Sequence, residues 1–133
     1  MYKPVKFITE VPYLQSSTFY LFCKPLKILL PIETGCECIQ TQTVPSVYNS
    51  VRRIIEGIGA KALYLKIYLY CENVFYAYLT IKNGKETFDI NVGLKDGIKM
   101  AREMKIPIYV RDQILENNGI KITKDLVMKA LKT

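Results

Sequence analysis

Three residues with oxygen-bearing side chains lie close together in the sequence: Asp89, Asn91 and Asp96. Asp89 and Asn91 are two positions apart in an apolar run, so in a β-strand both side chains point to the same side. Asp96 follows where this run gives way to a helical pattern. Carboxylate and amide oxygens are the ligands that Mg²⁺ or Mn²⁺ takes in proteins. The spacing therefore predicts an oxygen-rich site for Mg²⁺ or Mn²⁺, with Asp96 and Asp89 as the metal ligands.

The same residues also have ordinary structural interpretations. Asp96 stands where a helix is expected to begin, and its carboxylate can cap the first turn by accepting backbone amides. Asp89 and Asn91 can face solvent from the edge of a strand. Lys95 can contact a phosphate group or lie in solvent. Both interpretations stay open at the level of the sequence.

Alternation of residue types over 61–82 predicts a β-hairpin with two different sides. One side is aliphatic and is expected to be core: Leu63, Leu65, Ile67, Leu69, Phe75, Ala77, Leu79 and Ile81. The other side, here named the tyrosine face, carries Tyr68 and Tyr78 with Lys66 among them, and its further members are Ala62, Tyr64, Tyr70, Tyr76 and Thr80. A contiguous aromatic surface of this kind is rarely left bare.

Three interpretations of the tyrosine face are open. The chain's own tail or helices can cover it. It can be a homo-oligomer interface, with a dimer favoured, because tyrosine is enriched in interface cores. It can also be a stacking platform for single-stranded nucleic acid, with Lys66, Tyr68 and Tyr78 as binding residues.

The composition excludes several classes of chemistry. The chain contains no histidine, which removes Ser-His-Asp and Cys-His mechanisms and imidazole metal ligands. Any hydrolysis must then rest on carboxylates with a divalent metal, or on lysine or tyrosine. Lys and Arg outnumber Asp and Glu by 19 to 12, for a net charge of +7. Such a charge favours nucleic acid as a partner, and it also suits a lysine-rich solvated surface.

Length, hydropathy and cysteine positions set the remaining bounds. The 133 residues predict one domain, and no apolar run reaches the ~18 residues of a membrane span, so we expect a cytoplasmic protein without a membrane partner. The four cysteines are Cys23, Cys36, Cys38 and Cys71. Buried free thiols, a four-cysteine metal site and a Cys23–Cys71 disulfide, as found inside hyperthermophile cells, are the alternatives.

The remaining patterns predict an α+β domain. Strands are expected at 4–11, 17–23, 26–33, 86–92 and 107–110, and helices at 45–58, 96–104 and 112–118, with at most a short helix at 36–43. A basic amphipathic tail follows at 123–132. Together these elements predict a predominantly antiparallel, mixed β-sheet with helices packed on it.

Three runs carry a resemblance to a known family: LPIETG at 30–35, NVFYAYLTI at 73–81 and DINVGLKDGIKMAREMKIPIYV at 89–110. In this order they resemble the bifunctional nuclease (BFN) domain family, where the runs read roughly LPIWIG, TFYARLVL and D-x-R-P-S-D-A-I-x-L-A followed by P-I-F-V. The resemblance covers about residues 5–120 and is that of a divergent member. It implies the BFN-domain fold and metal-assisted hydrolysis of RNA or DNA phosphodiesters.

Most polar positions of the family motif are substituted in this chain. The D-x-R-P-S-D motif falls on 91–96, where Asp96 keeps its identity while Asn91, Gly93 and Lys95 replace aspartate, arginine and serine. The family's T-H-D falls on 47–49, which reads Val-Tyr-Asn.

A glutamate of the family is also displaced. It is expected three residues after the glycine of LPIETG, where Cys38 stands, and Glu37 lies one position earlier. The resemblance points to Asp96 and Glu37 as catalytic residues, and the strand spacing adds Asp89 to them, with Asn91 and Lys95 expected to contact substrate. The function is either nuclease-like or that of a non-catalytic oligomeric or nucleic-acid-binding protein of the same fold.

Overall fold

The computed structural model describes residues 1–14, 16–34 and 47–131. Within these ranges the strands are β1 (Tyr2–Tyr13), β2 (Ser16–Cys23), β3 (Ile28–Thr34), β4 (Lys61–Cys71), β5 (Val74–Asn83), β6 (Glu86–Val92), β7 (Ile108–Arg111) and β8 (Ile120–Lys121). The helices of the same ranges are α1 (Val47–Gly57), α2 (Leu94–Met104), α3 (Asp112–Asn118) and α4 (Lys124–Leu131).

The strands just named form one sheet in the order β6-β5-β4-β7-β1-β2-β3-β8. All neighbours pair antiparallel except β4 and β7, which are parallel. The short β7 joins the β4–β6 meander to the β1–β3 meander, because it pairs with β4 on one side and β1 on the other. The predicted α+β fold with a predominantly antiparallel mixed sheet is confirmed, whereas β8 was not predicted.

Helix α2 lies on the aliphatic side of the hairpin. It turns Gly97, Ile98, Met100 and Ala101 inward, which is the spacing of an amphipathic helix. At Gly97 the helix approaches the sheet closely, since a Cβ there would lie 2.9 Å from Cγ2 of Val92 and 3.0 Å from Cδ1 of Leu65. Helix α1 packs beside α2 and reaches β4 as well. The two helices therefore cover the face opposite the tyrosine face.

Two β-bulges in β4 correct the predicted strict alternation. The pairing with β5 skips one residue of β4 between Ala62 and Tyr64, and another between Ile67 and Leu69. An extra residue shifts the side chains around it to the other face. Ala62, predicted on the tyrosine face, is therefore buried, whereas Leu69, predicted in the core, is 43% exposed.

The bulges also change the ends of the aliphatic side. Leu63, predicted in the core, is only half-buried. Tyr70, predicted on the tyrosine face, pairs with Phe75, and both pack against the core. The centre of the prediction is confirmed, because Leu65, Ile67, Ala77, Leu79 and Ile81 are all buried.

The cysteines and the tail settle two further alternatives. Cys23 is a buried free thiol and Cys71 an exposed one, so the Cys23–Cys71 disulfide is wrong. Cys36 and Cys38, which the four-cysteine metal site requires, lie outside the described residues, as does the short helix expected at 36–43. The tail forms α4 with no buried residue, so its described part does not cover the tyrosine face. None of the described helices is long and apolar enough to cross a membrane.

Candidate functional site

A hydrogen bond joins the first turns of α1 and α2. The Tyr48 hydroxyl donates to Oδ1 of Asp96 at 2.8 Å, although the two residues are 48 positions apart. Lys99 lies one turn further along α2, with its ammonium group 5.9 Å from the centre of the Tyr48 ring. Lys95 and Lys99 share one side of α2, because they are four residues apart. This α1–α2 junction thus holds one carboxylate with two lysines around it.

Arg52 adds a third positive charge to the junction. Its guanidinium donates to Oδ1 of Asn49 at 2.7 Å, one turn earlier on α1. Its Nε is buried and meets no acceptor among the described residues. A guanidinium has five N–H donors, so Arg52 can also donate to an anionic ligand.

A cleft of about 470 Å³ opens beside the start of α2. Its walls include Glu33 and Thr34 at the end of β3, the β4–β5 turn, Gly93 and Lys95. Gly93 is the N-cap of α2 and has no side chain with which to cap the first turn. Uncapped amides at a helix start suit an anionic oxygen. The prediction of Asp96 as the N-cap is therefore wrong, since Asp96 lies within the first turn.

Asp89 and Asn91 share one face, as the spacing predicted, but it is the tyrosine face. The Thr80 hydroxyl donates to Oδ1 of Asp89 at 2.7 Å, and the Tyr68 hydroxyl donates to Oδ1 of Asn91 at 3.2 Å. Asp96 lies instead with α1 and α2 on the other side of the sheet. The structure does not bring Asp96 together with Asp89 and Asn91.

The donor set that the described residues form at the junction does not fit a divalent metal. Mg²⁺ and Mn²⁺ need several oxygen ligands, usually carboxylates. Within 1–14, 16–34 and 47–131, no three His, Cys, Asp or Glu side chains are grouped closely enough to hold a metal ion. The charged neighbours of Asp96 in α2 are Lys95 and Lys99, which repel a cation. Glu37, the third predicted catalytic residue, lies outside the described residues.

The tyrosine face is a network of ring contacts around Lys66. The ammonium group of Lys66 lies 4.6 Å from the ring centre of Tyr2 and 4.9 Å from that of Tyr64. Tyr2 comes from β1, so the face extends beyond the hairpin. On β7, Tyr109 meets Tyr64 edge-on at 5.8 Å between ring centres. The predicted binding residues Lys66, Tyr68 and Tyr78 are brought together, because Lys66 pairs directly with Tyr78 and the rings of Tyr68 and Tyr78 are 5.3 Å apart.

The Tyr78 phenol is expected to ionise at a higher pH than an ordinary phenol. Burial, followed by the charges of Tyr2 and Asp89, raises the pKa of Tyr78 from 10.0 to about 12. Folding therefore favours its protonated form, so the stabilisation it gives is complete below pH 10.0 and is lost as the pH approaches about 12. Ultraviolet titration should show one phenol ionising late, and the Tyr78→Phe variant should lack that step. The Tyr76→Phe variant should retain it; loss of the late step in both would contradict the assignment.

Comparison with known proteins decides the family. A model of the bifunctional nuclease domain matches residues 31–123, which is more than half of the chain. The chain belongs to the bifunctional nuclease domain family. Its BFN relatives include Bifunctional nuclease 1 of Oryza sativa subsp. indica and Bifunctional nuclease of Oryza minuta, each 30% identical over 83 residues. The aligned region is 60% of this chain and 25% of theirs, so the chain spans about a quarter of the length of these relatives.

The BFN fold explains why two distant motif positions meet. The family's T-H-D and D-x-R-P-S-D fall on the starts of α1 and α2, and the Tyr48–Asp96 hydrogen bond joins those starts. The sequence did not point to Tyr48, Arg52 and Lys99 as site residues. A signal existed for Tyr48 and Arg52, because residues four apart in a predicted helix share a side. The sequence held no such signal for Lys99, since its position beside Tyr48 depends on how α1 packs on α2.

Proposed function

We propose that this protein binds nucleic acid at the α1–α2 junction and that its hydrolysis of phosphodiester bonds is weak or absent. The observation that carries the proposal is the environment of Asp96. The motif carboxylate is kept, but its Oδ1 accepts the Tyr48 hydroxyl and its charged neighbours on α2 are lysines. Membership of a nuclease family supports nucleic acid as the ligand.

Charge at the junction suits a phosphate chain. Positive charge comes from Lys95 and Lys99 on α2 and from Arg52 on α1. The start of α2 also offers backbone amides to an anionic oxygen. Lysine and arginine bind phosphate oxygens through charge-assisted hydrogen bonds. The net charge of +7 adds a general attraction for polyanions. Binding should therefore weaken as the salt concentration rises.

The same residues are poorly suited to hydrolysis. A phenol stands at Tyr48 and an amide at Asn49, where the family carries an imidazole and a carboxylate. Near neutral pH a phenol is normally protonated, since its usual pKa is about 10, and an amide does not act as a base. Losing individual acid–base or electrostatic contacts typically costs about 10²-fold or more each. Several such losses together leave little rate.

We expect labelled RNA and DNA to bind without appreciable cleavage in Mg²⁺ or Mn²⁺. The rates of wild type and of Asp96→Ala should both lie near the protein-free background, while Lys99→Gln should weaken binding. Asp125→Ala removes an exposed carboxylate from α4 and is the matched control for Asp96→Ala. Robust metal-dependent turnover that Asp96→Ala abolishes and Asp125→Ala preserves, with folding intact, would contradict the proposal.

A further inference from the structure

In the part of the chain that the structure describes, the tyrosine face lies open to solvent on the side of the sheet away from α1 and α2. Tyr2, Tyr64, Tyr68, Tyr78 and Tyr109 are half-buried, largely against one another. Tyr76, at the end of the same face, is 42% exposed. Aromatic rings that are neither buried nor scattered singly on a surface mark an interaction site.

The rings are held in place before any ligand arrives. Lys66 lies between Tyr2 and Tyr64, and Tyr68 leans on Tyr78. The Tyr68 hydroxyl is further fixed by its bond to Asn91. A ligand that stacks on such rings loses little binding energy to the ordering of side chains.

The second β-bulge builds part of this face. It lies at Tyr68, which the pairing of β4 with β5 skips, and Leu69 then pairs with Tyr76 on the outer side. Bulges often re-aim side chains next to functional sites. Here the bulge sets Tyr68 over Tyr78 and adds an apolar residue beside Tyr76, where a regular strand would have turned Leu69 into the core.

The charge of the face is mainly positive. Lys61 and Lys82 stand directly opposite each other on β4 and β5. Lys82 lies two residues after Thr80, so this pair belongs to the outer side of the sheet. Arg111 adds positive charge further along the face, where its guanidinium donates to the Tyr68 carbonyl at 3.4 Å. Directly opposed like charges destabilise a sheet unless a counter-charge is near. An anionic ligand would supply that counter-charge.

We infer that the tyrosine face is a stacking platform for single-stranded nucleic acid. The inference rests on the proposed function for its class of ligand, nucleic acid. It adds a second binding surface and a preference for single strands. Unpaired bases would stack on Tyr68, Tyr76 and Tyr78, while the phosphate chain follows Lys82 and Arg111. Stacking on tyrosine combined with a basic track is how strands are bound without sequence readout.

A second copy of the chain fits this face less well. A two-fold interface would set the same surface against itself, so the Lys61–Lys82 pair and Lys66 would approach positive charge of the partner. The opposing carboxylate on the described part of the face is Asp89, which already accepts the Thr80 hydroxyl. A polyanion meets this charge with complementarity instead of repulsion.

The inference is tested by fluorescence anisotropy of a labelled oligothymidylate of about 12 nucleotides, which is within the site sizes of known single-strand binders. Tyr68→Ala should weaken binding between about fivefold and about a hundredfold, as loss of a stacked ring does. Phe88→Ala is the matched control, because Phe88 is 45% exposed and pairs with Ile81 on the opposite side of the sheet. It should leave binding unchanged.

Charge and strandedness give two further readouts. Lys82→Gln should reduce the slope of log affinity against log salt by about 0.7, and Lys105→Gln, beyond α2, should not. Duplex DNA should bind more weakly than the single strand, because paired bases cannot stack on the rings. Equal binding of duplex and single strand would overturn the platform.

The outcomes separate the platform from the proposed function. If Lys99→Gln weakens binding while Tyr68→Ala does not, the junction binds the strand and the platform is overturned. If wild type binds no nucleic acid, both are overturned. If Tyr68→Ala lowers the sedimenting mass and leaves binding unchanged, the face joins copies of the chain and the platform is overturned in favour of the oligomer.

Discussion

Truncation of Leu65 to alanine is expected to lower the free energy of unfolding by about 2–5 kcal/mol, as truncations of buried leucines do. The Leu65 side chain is fully buried. It lies in β4 between Leu79 on β5 and Ile108 on β7, and Gly97 of α2 rests on it. A cavity there removes contacts from three elements at once, so little of it can close by relaxation.

The matched control for Leu65→Ala is Leu69→Ala. Both residues are leucines of β4, and the alternation in the sequence assigns both to the aliphatic side of the hairpin. Leu69 is nevertheless 43% exposed because of the second β-bulge. Its truncation should change stability by about 0.5 kcal/mol or less, as surface substitutions do. Chemical denaturation of both variants provides the measurement. Equal losses at the two positions would show that the bulge does not turn Leu69 outward.

Replacement of Gly119 by alanine is expected to destabilise the protein by about 1–3 kcal/mol, the usual cost of overpacking. Gly119 ends α3, and its amide donates to the Leu115 carbonyl at 2.9 Å. A Cβ at this position would lie 2.5 Å from that carbonyl oxygen and would collide with Cγ2 of Ile28. The obstacle is partly backbone, so α3 and the following β8 would have to move away from β3.

Gly57→Ala is the control for Gly119→Ala. Gly57 is the last residue of α1, and a Cβ there meets nothing within 4 Å. Alanine should be neutral or stabilise by up to about 1 kcal/mol, because it restricts the unfolded chain and favours helix. The changes in the free energy of unfolding, measured by thermal and denaturant unfolding, should therefore differ in sign or in size between the two variants. Similar stabilities would mean that the packing around Gly119 is looser than the structure shows.

The hairpin shows how far the sequence predicts the sheet. Alternation of aliphatic and aromatic residues predicted β4 and β5. The bulges were not predicted. A residue that the strand pairing skips cannot be recognised in the sequence when the residues beside it are compatible with either face of the sheet. Leu69 and Ala62 were assigned to the wrong faces for this reason.

The candidate site shows even more clearly than the hairpin that local patterns do not predict on which face of the sheet a residue lies. Asp89, Asn91 and Asp96 lie close in sequence, and their spacing predicted one oxygen-rich cluster. The strand keeps Asp89 and Asn91 on the tyrosine face, whereas α2 turns back over the opposite face and takes Asp96 to Tyr48. Proximity along the chain was a poor guide, because a strand-to-helix turn at the edge of a sheet separates its two faces.

The sequence by itself determined the family, the element types and the basic, histidine-free chemistry. These properties depend on local patterns and on composition, which do not change with the way distant segments of the chain pair. Only the tertiary structure decided that β7 lies between β4 and β1, that the starts of α1 and α2 meet, and that Tyr2 and Tyr109 extend the tyrosine face. Those outcomes depend on pairings between distant segments, whose energies are set by how whole faces pack together.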